Sequence, residues 1–171
     1  MVDGREKILP LDRLAPLIAE LKKQGRKIVF TNGCFDLLHA GHVRYLAQAK
    51  ALGDILVVGL NSDASVRALK GEGRPLVPED DRAEVLAGLA AVDYVVIFPE
   101  ATAAPTIEAL RPDLQVKGGD YTADQIPETP AMRAVGGEVV VVSEAPGRST
   151  TSLIDRIREQ HLHPNSGKGT S

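Results

Sequence analysis

The sequence predicts an α/β domain built on a doubly wound parallel sheet of five strands. Three observations carry that prediction. Short β-branched runs alternate with segments of helical period along most of the chain. The length, 171 residues, suits one ordinary hydrophobic core. The loops after the first and fourth predicted strands have the oddest compositions in the chain, as expected where such a sheet reverses direction and binds its ligand.

Taken in order, a leading helix is expected over Leu11 to Lys23, stopped by Gly25. The first strand is Lys27 to Thr31. A helix follows from about Gly41 to Leu52, its apolar face set by Val43, Leu46 and Ala47. The second strand is Asp54 to Leu60. A short helix around Ala64 to Leu69 leads into a Gly/Pro loop, Lys70 to Pro78. Glu79, Asp80 and Asp81 then favour a helix start, with the helix running to about Ala91. The remaining strands are Tyr94 to Phe98, Asp113 to Lys117 and Glu138 to Ser143. Helices are expected near Pro105 to Leu110, over Pro130 to Val135, and over Thr150 to Gln160. Right-handed crossovers favour the strand order 3-2-1-4-5. The chain thus divides into a helical extension over 1–26, a main α/β domain over 27–160, and a polar, Gly-rich tail over 161–171 expected to be disordered.

Composition excludes several function classes. Twenty Lys and Arg against 23 Asp and Glu leave a formal net charge of −3, without the basic footprint of a nucleic-acid binder. Three Phe, three Tyr and no Trp are too few for a single-strand stacking platform. Phe30, Tyr45, Tyr94 and Phe98 read as packing, while Phe35 and Tyr121 fall in the two unusual loops and suggest a pocket for one base. The single Cys rules out an internal disulfide framework and points to a reducing compartment. With no signal-peptide pattern and only strand-sized apolar runs, the expected location is the cytoplasm, with no membrane partner.

Three segments carry chemistry. The first is TNGCFDLLHAGH, residues 31–42. Gly33 is expected to allow unusual backbone angles and close ligand approach. His39 and His42 stand three apart at a helix start, where backbone N–H groups and the helix dipole favour an anion. Two imidazoles there can donate to phosphate oxygens as charge builds in a transition state, and Gly41 leaves room for the phosphate chain. The plainer alternative is that both histidines only cap the helix. The second segment is Lys117-Gly118-Gly119-Asp120-Tyr121, one fixed charge beside an unobstructed backbone, with Asp120 placed to fix the Lys or a ribose hydroxyl. The third is Gly147-Arg148-Ser149-Thr150-Thr151-Ser152, where four hydroxyl residues exceed what a helix cap needs. Lys70, Arg74 and Arg82 lie along the Gly/Pro loop and next helix, suited to clamping a second substrate's phosphate, with Asp80 or Asp81 as alternative partners for Arg82. Cys34 lacks any acyl-transfer context and is read as a small packing residue. The tail stretch Gly167-Lys168-Gly169-Thr170 lacks the spacing of a P-loop, and His161 and His163 are assigned nothing.

Together these segments resemble the cytidylyltransferase-like nucleotidyltransferase superfamily, Rossmann-like folds with an H-x-G-H element. Within it, TNGCFDLLHAGHVRYL, GLNSDASVRALKG, RPLVPEDDRAEVLAGL, VKGGDY and GRSTTSLI resemble the D-glycero-β-D-manno-heptose 1-phosphate adenylyltransferase family, from about Lys27 to Arg158. The resemblance implies an enzyme that transfers AMP from ATP to a sugar 1-phosphate and releases pyrophosphate. It implies His39, His42 and Lys70 as catalytic residues. Nucleotide contacts would come from Asn32, Gly33, Cys34, Phe35, Asp36, Gly41, Lys117, Gly118, Asp120, Arg148, Ser149, Thr150 and Thr151. Asn61, Arg74 and Arg82 would face the sugar phosphate. Mg²⁺ would arrive with the triphosphate, held largely by phosphate oxygens and water, with Asp36 the first carboxylate to inspect as a metal contact. A homodimer is implied as well. No sugar-kinase domain stands ahead of these motifs, so any kinase step is expected on another chain. Two other readings stay open: transfer of CMP to glycerol 3-phosphate or another small phosphate, and a non-catalytic nucleotide-binding module.

Overall fold

A computed structural model of the chain describes residues 4–119, 122–142 and 150–162. Five strands, β1 (Ile28–Gly33), β2 (Ile55–Asn61), β3 (Tyr94–Phe98), β4 (Leu114–Gly118) and β5 (Glu138–Val142), form one parallel sheet in the order β3-β2-β1-β4-β5. This is the expected order, and it puts the reversal of direction between β1 and β4. The register pairs Ile28 with Ile55, Val57 with Tyr94, and Leu114 with Glu138.

The helices are α1 (Leu11–Lys23), α2 (Ala40–Lys50), α3 (Asp63–Lys70), α4 (Glu79–Ala87), α5 (Ala104–Leu110), α6 (Thr129–Ala134) and α7 (Thr150–Leu162), of which α2 to α6 lie in crossovers between strands. Because side chains alternate across a strand, the sheet packs a core on each face. On one face Val29, Leu56, Val58, Leu114 and Val116 pack with Leu46 and Ala49 of α2 and with Leu86 of α4. On the other, Ile28, Phe30, Val57 and Val96 pack with Leu14 and Ile18 of α1, Ile107 of α5 and Met132 of α6. Leu46 is fully buried. Burial of one such side chain is worth about 1.5–3 kcal/mol, which fixes α2 against the sheet.

Differences from the sequence expectation are local. Helix α4 ends at Ala87, four residues early, with Gly88 as its C-cap. The Leu89 amide closes a turn on Leu86, delivering Asp93 to the start of β3, where its carboxylate accepts the Leu56 amide at 2.7 Å. A 3₁₀ turn at Gly4–Lys7 was not expected; just after it Ile8 bridges Val95 in parallel along the outer edge of β3. A second 3₁₀ turn spans Ala123–Gln125. Among the described residues no helix is long and apolar enough to cross a membrane.

Candidate active site

The loop after β1 is shaped by close packing. Gly33 ends the strand without a positive φ; a Cβ there would meet the Phe35 ring at 3.1 Å. The unusual backbone falls two residues later, on Phe35 itself (φ 44°). That turn sends the Phe35 side chain into the core, 7% exposed, with its ring 5.5 Å from that of His42. Phe35 therefore backs the histidine instead of lying open to a base. Tyr121, its expected counterpart, lies outside the described residues.

His39 and His42 open α2. The Nδ1 of His39 accepts the Gly41 amide at 3.1 Å, and the Nδ1 of His42 accepts the His39 amide at 3.4 Å. The two rings thus form a reciprocal cap. A ring nitrogen that accepts cannot carry the proton, so each neutral imidazole presents N–H at Nε2. Among the described residues none engages either Nε2. Capping and ligand donation use opposite nitrogens, so the two readings of the motif are compatible. The ring centroids are 4.0 Å apart. Burial first, and the neighbouring His39 second, push the His42 pKa down to about 4. His42 is a neutral donor at pH 7.

Tyr45, one turn further, ties this helix to the reversal point. Its hydroxyl donates to the Val116 carbonyl at 2.7 Å and pairs with Thr31 Oγ1 at 2.6 Å, spanning β4 and β1. Sequence reasoning gave Tyr45 only a packing role; its place three residues after His42 was the available signal.

The Gly/Pro loop is fastened over the β1 loop by two charges. Asp36, with its side chain 1% exposed, accepts from Arg74 Nε at 2.5 Å and from the amides of Leu76 and Val77 at 2.9 Å each. Burial alone would raise its pKa, but those amides and the guanidinium outweigh it and hold the carboxyl below its usual value. The carboxylate is therefore already engaged and does not fit the expected metal contact. Among the described residues no group of three His, Cys, Asp or Glu side chains is placed to hold a metal ion.

Arg82 differs most from expectation. Its side chain is fully buried; Nη1 donates to the carbonyls of Cys34 at 2.6 Å and Asn61 at 2.9 Å, Nε to that of Val77, and Nη2 to Asp63 Oδ1 at 2.6 Å. Its acidic partner is Asp63, neither Asp80 nor Asp81. With no donor face left for a phosphate, Arg82 joins the ends of β1, β2 and the loop. Asn61 is likewise buried, its amide spent on Ser65 Oγ at 3.1 Å. Lys70 is exposed at the end of α3, close enough for its charge to act on Cys34. Burial is the larger influence on Cys34 and raises its thiol pKa, which disfavours a thiolate.

Lys117 stands at the end of β4, near this loop but on the other face. Its register partner is Val141, two residues from Val139 of the α1/α5/α6 core. On that face Gln115 Nε2 donates to Asn32 Oδ1 at 2.9 Å, Asn32 Nδ2 donates to Glu128 Oε1 at 3.0 Å, and Lys117 Nζ stands 3.8 Å from Glu128 Oε2. Gln115 and Glu128 were not foreseen. A Gln inside the run Leu114-Gln115-Val116 was a visible signal; nothing local marks Glu128. Gly118 closes β4 opposite Val142, and the Gly119 amide donates to the Val142 carbonyl. Thr150 Oγ1 donates to the Leu37 carbonyl at 3.2 Å, bringing the start of α7 to the histidine loop. Thr151 is in the first turn of α7; Asp120, Arg148 and Ser149 lie outside the described residues.

The cytidylyltransferase-like family matches residues 30–159. The bifunctional protein HldE of Geobacter metallireducens is 56% identical over 91% of this chain, and that of Geobacter sulfurreducens 54% over 91%; the chain spans 32% of each. A crystal structure of the lipopolysaccharide core biosynthesis protein from Thermoplasma volcanium GSS1 superposes with a TM-score of 0.59 at 30% identity. The match covers 71% of this chain and 98% of that one.

Proposed function

The chain belongs to the cytidylyltransferase-like family, and on that premise we propose that it is an adenylyltransferase that joins AMP from ATP to D-glycero-β-D-manno-heptose 1-phosphate. The observation that carries this reading is the reciprocal histidine cap, which aims both Nδ1 atoms at the backbone and leaves two Nε2–H donors at the start of α2. The identity to the HldE proteins and the likeness to a lipopolysaccharide core biosynthesis protein support the sugar phosphate as acceptor.

In this mechanism a phosphate oxygen of the sugar 1-phosphate attacks the α-phosphorus of ATP in line. The bond from that phosphorus to the bridging oxygen breaks, and pyrophosphate leaves with the electron pair. No protein atom is covalently involved, consistent with Cys34 being held as a thiol. Positioning and charge stabilisation do the work. The Nε2–H groups of His39 and His42 donate to the transferring phosphoryl oxygens, aided by the amides of the first turn of α2. Lys70 at the end of α3 and Lys117 near the end of β4 supply positive charge, and Arg74 and Arg82 act by holding the Gly/Pro loop in place. Mg²⁺ enters as part of the MgATP substrate, carried by phosphate oxygens and water.

A panel of nucleoside triphosphates against sugar 1-phosphates and glycerol 3-phosphate, read as pyrophosphate release, tests the reading. ATP with the heptose 1-phosphate should be the productive pair. Productive turnover with CTP and glycerol 3-phosphate instead would replace it, and tight nucleotide binding with no pyrophosphate under any acceptor would leave a binding module.

A further inference from the structure

The polar chain on the α5/α6 face is not explained by packing. Glu128 is 4% exposed, and among the described residues its Oε2 makes no hydrogen bond; Gln115 Oε1, fully buried, makes none either. A buried acceptor left unpaired costs about 1–3 kcal/mol, so such groups call for a reason. Lys117 Nζ stands 3.8 Å from Glu128 Oε2, beyond hydrogen-bond distance, and keeps its side chain 22% exposed. The other carboxylate oxygen is fixed by Asn32 at the end of β1 and approached by the Ala103 amide at 3.5 Å, at the start of α5. Glu128 therefore touches both strands of the reversal point while being too enclosed to meet a ligand.

We propose that Glu128 is a positioning residue that holds Asn32 and the charged Lys117 at the β1/β4 crevice, compensating the ammonium without consuming its N–H donors. This rests on the adenylyltransferase reading, in which Lys117 meets the nucleotide's phosphates. Burial presses the Lys117 pKa down, and the facing Glu128 opposes that, with a smaller contribution from Cys34 after β1. From β5 the register partner is the apolar Val141. Removing the carboxylate charge should leave an ammonium that loses its proton at lower pH and binds phosphate less well.

The test is calorimetric titration with α,β-methylene-ATP, which binds without turnover, across about pH 6–10, a span that reaches the ordinary lysine range. Glu128→Gln keeps the shape and an acceptor for Asn32. It should weaken binding about tenfold, the scale of one charge-assisted hydrogen bond, and move the alkaline loss of affinity to lower pH. Lys117→Arg does not titrate in this range, so the alkaline limb should vanish and Glu128→Gln should add no pH shift to it. A Glu128→Gln protein that binds as the wild type does, with an unchanged alkaline limb, overturns the proposal even if its Tm falls. A wild-type protein that fails to bind the analogue sinks the adenylyltransferase reading, and the proposal with it.

Discussion

At the amino-terminal edge of the sheet three aspartates, Asp54, Asp93 and Asp113, each stand just before a strand and accept a backbone amide from its neighbour, those of Lys27, Leu56 and Ile28, at 2.7–2.8 Å. Each also has a cation nearby: Arg26 at 3.8 Å, Lys50 at 2.5 Å and Lys22 at 3.0 Å. At the carboxyl-terminal edge several polar groups are incompletely matched. Among the described residues two imidazoles keep Nε2 unengaged, Lys117 Nζ stands 3.8 Å from its glutamate, and two buried oxygens make no hydrogen bond. Backbone amides close the carboxylates of one edge, whereas at the other several polar groups make no hydrogen bond among the described residues.

The largest expected effect lies in the open edge. His39→Asn retains a capping side chain but removes the outer N–H, so kcat should fall about 10²–10³-fold while Tm changes little. Steady-state kinetics beside thermal melts would decide it, and a matching collapse in Tm would reduce the residue to a cap. The pH behaviour sharpens the same point. The His42 pKa lies near 4 against 6.5 when unfolded, so its contribution to stability is full above 6.5 and is lost as pH falls toward 4. Imidazole NMR should find the ring neutral at pH 6.

Arg82→Met comes next, because it strands the Asp63 carboxylate and three carbonyls. A loss of about 3 kcal/mol in urea unfolding is expected, with activity falling as the loop loosens. Asp36→Asn should cost about 2 kcal/mol at neutral pH through its weakened hydrogen bonds. In the wild type that contribution is present above the unfolded value of 3.8 and disappears as pH falls through the lower folded value, so the variant should show a flatter acid-unfolding curve. The smallest effect belongs to the closed edge. Asp113→Asn should cost about 1 kcal/mol and leave kcat/KM unchanged; a kinetic defect there would erase the contrast between the edges.

The fold was legible because hydrophobic period and turn residues are local. Strand Tyr94–Phe98 and helix Leu11–Lys23 have the expected limits, and the strand order follows from crossover handedness. His39 and His42 were legible for the same reason, since a cap and its helix share one stretch of chain. The long-range partners were not. Arg82 reads as an exposed clamp in sequence because nothing nearby shows that Cys34, Asn61 and Asp63 surround it. Glu128 is silent in sequence because Asn32 lies 96 positions away.

The sequence by itself determined the architecture, the place of the reversal and the histidine pair at its mouth, since periodicity, capping and topology rules act over short spans. Only the tertiary structure decided which charges remain available to a ligand. Availability depends on burial and on partners brought together from distant segments, and among the described residues those satisfy Asp36 and Arg82 while leaving the imidazole Nε2 atoms unengaged and Lys117 partly exposed.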